Sequence, residues 1–165
     1  MMPEQIEVQL MGLILDPVSK TPVMLLKPEN LEKIIPIWIG ISEANSITIE
    51  LEKIKSPRPM THDLLNSVIK NLEYKVEKVI INEILDNTYY AKLYIGNGRE
   101  SKILDCRPSD AVAIALKSRA KIYISDQVYN NFDVSGISHE FFDSEDKVEN
   151  WFNSLSKEDF GEIEH

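Results

Sequence analysis

The stretch Leu104-Asp105-Cys106-Arg107-Pro108-Ser109-Asp110-Ala111-Val112-Ala113-Ile114-Ala115-Leu116 gathers its charged and polar side chains before Ala111 and is apolar from there on. Pro108 suits the first turn of a helix, where its missing N–H costs nothing, and Asp110 in that turn meets the positive end of the helix macrodipole. The stretch therefore reads as a short strand, Ile103-Leu104, passing into a buried helix from Pro108 to about Arg119. Functional groups collect at such strand-to-helix junctions, and so do ordinary helix caps.

The same junction occurs once upstream. Ile39-Gly40-Ile41-Ser42-Glu43-Ala44 aligns without gaps on Cys106-Arg107-Pro108-Ser109-Asp110-Ala111, and Ile47 then falls on Ile114. Each junction closes the same order of elements. In the first half, Ile6 to Leu15, Val23 to Leu26 and Ile34 to Ile39 read as strands, with Pro36 demoting the third to an edge or bulged position. In the second half, Tyr74 to Leu85 turns at Asp86-Asn87 into a strand alternating Tyr89, Ala91, Leu93 and Ile95 with Tyr90, Lys92 and Tyr94. The expected fold is α+β: a duplicated β3α unit over about residues 5–72 and 74–131, its mixed or antiparallel sheets packed against helices, plus a C-terminal helix. A duplication places Glu43 and Asp110 at equivalent helix starts, facing one another.

Periodicity fills in the remainder. Ser42 is the expected N-cap of a helix burying Ala44, Ile47, Leu51 and Ile54, which Ser56-Pro57-Arg58-Pro59 must end. Thr61 is the expected N-cap of a second, burying Leu64, Leu65, Val68, Ile69 and Leu72. Lys121 to Ile124 reads as a strand and Asp126 to Asn131 as a short helical turn. From Ser144, the spacing of Val148, Trp151, Phe152 and Leu155 predicts a terminal helix docked by its aromatic face.

At 165 residues, 43% hydrophobic and 27% charged, the chain has the length and composition of one globular domain, here residues 1–139, with 140–165 an acidic tail and not a separate domain. The tail carries a balance of −7 of the net −9, so the body is close to neutral and lacks a polycationic footprint for nucleic acid. No apolar run approaches the ~20 residues of a membrane span, and the N-terminus lacks the layout of a secretory signal. A single Cys106 excludes an internal disulfide and a Cys-based zinc site, so the expected location is cytoplasmic. Glycine-rich phosphate loops and a H-x-x-x-H pair are absent. The acids beside Cys106 argue against a thiol nucleophile.

Polar residues that serve no obvious helix face are Glu43, Arg58, His62, Asp63, Asp105, Arg107, Ser109 and Asp110. Two carboxylates within ~4 Å repel by roughly 4 kcal/mol at an effective dielectric of 20, which a divalent cation or a raised pKa relieves. Oxygen donors of this kind select Mg²⁺ or Mn²⁺, ions that activate water and clamp a phosphodiester, and His62 then suits a general base or ligand. Against this, each acid in a first turn is explained by the macrodipole alone, worth ~0.3–1 kcal/mol. What propensity does not require is the repeated cation before a helix start, Arg58-Pro59 and Arg107-Pro108, which suits a phosphate or a neighbouring acid.

Pro36-Ile37-Trp38-Ile39-Gly40 with Glu43-Ala44, then Arg58-Pro59-Met60-Thr61-His62-Asp63-Leu64-Leu65, then Asp105-Cys106-Arg107-Pro108-Ser109-Asp110-Ala111, resembles the bifunctional nuclease family over roughly residues 5–130. The resemblance implies metal-assisted hydrolysis of both DNA and RNA on an α+β fold that assembles as a homo-oligomer, a dimer or larger. Carried onto these motifs, it makes His62, Asp63, Asp105 and Asp110 catalytic candidates, with Arg58, Arg107 and Ser109 for substrate and Glu43, Asp105 and Asp110 for Mg²⁺ or Mn²⁺. Two other readings stand beside it: a non-enzymatic homo-oligomeric interaction or regulatory module, and a binder of a small anionic ligand at the free N–H groups of the Arg-Pro helix starts. Glu43 and Asp110 in those turns oppose the last.

Overall fold

The computed structural model describes residues 4–16 and 19–132. In chain order the elements are β1 (Gln5–Leu15), β2 (Pro22–Pro28), β3 (Ile35–Trp38), α1 (Ile41–Leu51), α2 (Thr61–Asn71), β4 (Lys75–Leu85), β5 (Thr88–Gly96), β6 (Ser101–Cys106), α3 (Pro108–Ser118), β7 (Lys121–Ser125) and α4 (Asp126–Asn131). The terminal helix expected from Ser144, and the acidic tail with it, lie outside the described residues.

All seven strands form one sheet in the order β3-β2-β1-β7-β4-β5-β6. Two antiparallel meanders, β1-β2-β3 and β4-β5-β6, flank β7, which runs antiparallel to β1 and parallel to β4. The fold is thus α+β with a single mixed sheet. Pro36 lies in β3, at the end of the strand order, where a missing N–H interrupts no inner ladder. At the β4–β5 hairpin Asp86 and Asn87 both take positive φ, 48° and 60°, the pairing a two-residue turn needs to match strand twist.

The apolar run that ends β1, Leu10 to Leu15, is divided by a bulge between Leu10 and Gly12. Val8, Leu10 and Leu13 join the main core, while Met11 and Ile14 join a smaller cluster with Val23, Leu25, Ile34 and Trp38. Alternation alone sends a continuous apolar run to both faces; the bulge shifts its phase, so that Leu10 and Leu13, three residues apart, reach the same core. The main core is built around α3, whose Ala111 to Ala115 are all buried, and takes Ala44 and Ile47 from α1 and Ile69 from α2.

The two N-terminal helices depart from expectation. Gly40 and Met60, not Ser42 and Thr61, are the N-caps, and neither supplies a side-chain cap. On α1 only Ala44 and Ile47 are buried; Leu51 at its end and Ile54 beyond it are exposed. On α2 Leu64 and Leu72 are 60% and 65% exposed, and Leu65 and Val68 are exposed as well, so most of the stripe expected in the core faces outward. Periodicity gave the apolar face correctly but not what lies against it.

Candidate active site

The two strand-to-helix junctions meet. Arg107, the N-cap of α3, donates from Nη1 to Glu43 Oε1 in the first turn of α1 at 2.7 Å. The same guanidinium donates from Nε to Asp110 Oδ2 at 2.7 Å and from Nη2 to Asp110 Oδ1 at 3.1 Å, a forked pair. His62, in the first turn of α2, places Nε2 3.3 Å from Asp110 Oδ1. Glu43, His62, Arg107 and Asp110 are thereby one polar network drawn from three helix starts. The juxtaposition of Glu43 and Asp110 is the geometry a repeat implies; the duplication itself is a statement of ancestry and separate from it.

Local sequence explains the arrangement. Pro108 at the first helical position leaves Arg107 extended (φ −74°, ψ 149°), and Asp110 three residues on is within reach of its guanidinium. Gly40 is the equivalent cap of α1, and the Glu43 carboxylate folds back over it into the place a Cβ would take. The Glu43 carboxyl is held below its ordinary value, first by its own backbone N–H and then by Arg107. For Asp110 burial pushes upward, but the hydrogen bonds from Arg107 and His62 outweigh it and the carboxyl ends low. Arg107 is driven further up by Asp110 and Glu43.

Other candidates fall elsewhere. Asp63 accepts the Met60 N–H at 2.7 Å and pairs with Lys117 of α3, which lowers its pKa; both contacts hold a helix in place, and neither reaches the network. Asp105 precedes Cys106 on β6, and since Cys106 packs on the helix side of the sheet, strand alternation points Asp105 to the opposite side, opposite Lys92. Arg58 is exposed in the segment between α1 and α2, and no hydrogen bond or ion pair joins it to the network. Ser109 is buried, and no hydrogen bond joins its side chain to the network. Cys106 is pushed up to about 11, first by burial and then by Asp110 and Asp105, as befits a packing residue.

The expected metal set of Glu43, Asp105 and Asp110 is not assembled. Among the described residues no three His, Cys, Asp or Glu side chains are grouped to hold an ion, and the cation between Glu43 and Asp110 is the guanidinium of Arg107. Sequence reasoning overlooked Lys117 and Glu50, paired at 2.5 Å. Their signal was spacing: Glu50 lies seven residues after Glu43 and Lys117 seven after Asp110, two turns along the same helix faces.

Comparison with known proteins agrees with the motifs. Residues 23–136 match the bifunctional nuclease domain. The chain belongs to this family. An uncharacterized protein of Mycobacterium tuberculosis is 33% identical over 162 residues, 93% of this chain and 97% of its own length. Bifunctional nuclease 1 of Oryza sativa subsp. indica is 29% identical over 113 residues, covering 66% of this chain and 34% of that protein. Bifunctional nuclease 1 of Arabidopsis thaliana is 24% identical over 108 residues, covering 63% and 33%. The bifunctional nuclease fold described here thus spans only a third of the plant relatives it matches. All four members of the polar network lie inside the matched segment. Among the described residues no helix is long and apolar enough to cross a membrane.

Proposed function

We propose that the chain hydrolyses phosphodiester bonds of DNA and RNA at the network of Glu43, His62, Arg107 and Asp110. The observation that carries this reading is the contact of His62 with Asp110 beside a forked arginine, in a chain whose named relatives are bifunctional nucleases. An ionised Asp110 can only accept, so it holds the proton on His62 Nε2 and leaves Nδ1 with a free lone pair to take a proton from water. Arg107, its side chain 63% exposed, is the group that can exchange a carboxylate oxygen for a phosphate oxygen and meet the charge that develops there.

With the imidazole neutral, Glu43, Asp110 and Arg107 sum to one negative charge, so a phosphodiester is not drawn in by the network itself. This charge balance favours assistance by a cation, although the donor set does not form a site for Mg²⁺ or Mn²⁺ as it stands. The test is cleavage of plasmid DNA and of RNA by highly purified protein with Mg²⁺, with Mn²⁺ and with chelator, beside His62→Gln. A loss of about 10²–10⁴-fold in the variant is expected of a general base. Equal activity in wild type and variant would mark a contaminating nuclease.

A homo-oligomer and a cytoplasmic location belong to the same proposal. Leu64, Leu65, Val68 and Leu72 of α2 form an exposed apolar strip beside the His62 turn, of the kind that is covered by association. The lone Cys106 suits a reducing compartment.

A further inference from the structure

Lys117 stands in the last turn of α3, two turns beyond Asp110, and is outside the catalytic network. Its Nζ pairs with Glu50 Oε1 of α1 at 2.5 Å and with the Asp63 carboxylate of α2. The two clusters differ in their cation: the Lys117 side chain is 18% exposed and that of Arg107 63%, while the acids of the two clusters are sheltered alike. Burial lowers the Lys117 pKa, but Asp63 and Glu50 outweigh it and keep the ammonium charged.

Asp63 is the residue after His62. Its second oxygen accepts the Met60 N–H at 2.7 Å, so Thr61-His62 is bracketed by one carboxylate that Lys117 holds from the neighbouring helix. Otherwise α2 buries only Asn66 and Ile69, which leaves its apolar packing too sparse to define the setting of its first turn. We propose that Lys117 is a positioning residue: by holding Asp63 against α3 it sets the first turn of α2 so that His62 meets Asp110. The catalytic consequence rests on the nuclease reading; the geometric one does not.

The test combines imidazole nitrogen NMR of His62 at neutral pH with kcat and KM for nucleic-acid cleavage, on the full chain and on Lys117→Gln and Lys117→Arg. Wild type is expected to show the Nε2–H tautomer, because Asp110 accepts that proton. Lys117→Gln is expected to mix the tautomers and to lower kcat by about 10- to 100-fold, the usual cost of a slight misplacement, with KM little changed. Lys117→Arg is expected to restore both. A wild-type tautomer and kcat in Lys117→Gln would overturn the proposal. Should that variant not fold, Asp63→Asn keeps an acceptor for the Met60 N–H and loses only the ion pair. The same two changes are then expected, and wild-type behaviour there is equally contrary. A tautomer change in a protein whose wild type cleaves nothing supports the positioning role and removes the nuclease reading.

Discussion

Arg107 serves three hydrogen bonds to two carboxylates from two helices, and two of them form a planar fork on Asp110 that a single ammonium nitrogen does not reproduce. Arg107→Lys should keep the charge but lose the forked pair on Asp110. The expected outcome is a drop in cleavage rate with the far-ultraviolet circular dichroism unchanged. Asp16 is a residue of a different kind. It is buried and accepts the Trp38 indole N–H at 2.9 Å, linking the end of β1 to edge strand β3. Asp16→Ala leaves that donor without its acceptor and should cost ~1–3 kcal/mol in urea unfolding, with little effect on cleavage. The motif residues were legible from chemistry, but the sorting of Asp63 from Asp110 was not. Both are acids three residues after an extended cap, and only the neighbouring helix decides that one meets Lys117 and the other His62.

α3 is the element that both halves share. Its Ile114 is 1% exposed among residues of the sheet and of α1, and Ile114→Ala should cost about 2–5 kcal/mol by the lost burial and the cavity together. The same change should weaken the network indirectly, because Arg107 and Asp110 sit on the helix it loosens. α3 was readable in sequence because its apolar run, Pro108 and flanking polar residues all agree. α2 was not: its stripe of Leu64, Leu65, Val68 and Leu72 has helical spacing, yet spacing carries no information on whether the covering surface belongs to the same chain. The β4–β5 hairpin was legible from Asp86-Asn87 and the alternation beyond it. There Asn87→Val, placing a β-branched residue at φ 60°, should lower stability by ~1–3 kcal/mol.

For the whole molecule, the charge network joining three helices gives stability a defined pH window. Glu43, Asp63 and Asp110 are held below their ordinary values of 4.5, 3.8 and 3.8, so their contribution is full above those values and is lost as pH falls through the lower folded ones. Lys117 is held above 10.5, so its contribution is full below that value and is lost as pH rises through the higher folded one. Urea midpoints should therefore be flat, as far as these groups decide, between about pH 5 and about pH 10, and fall on either side. The meeting of the two junctions across the molecule was foreseeable from the match of Ser42-Glu43-Ala44 with Ser109-Asp110-Ala111. That a guanidinium would stand between the two acids, and Asp105 point away, depends on rotamers and strand facing that the spacing leaves open.

On the proposed reading His62 and Asp110 act as one unit in phosphodiester cleavage, and a double-mutant cycle measures their coupling. His62→Gln, Asp110→Asn and the double variant are compared with wild type by kcat on plasmid DNA and RNA. Groups acting as a unit lose nearly the same rate singly or together, so the double variant is expected to be no slower than His62→Gln alone. Losses that add in free energy, or single variants as active as wild type, would contradict it.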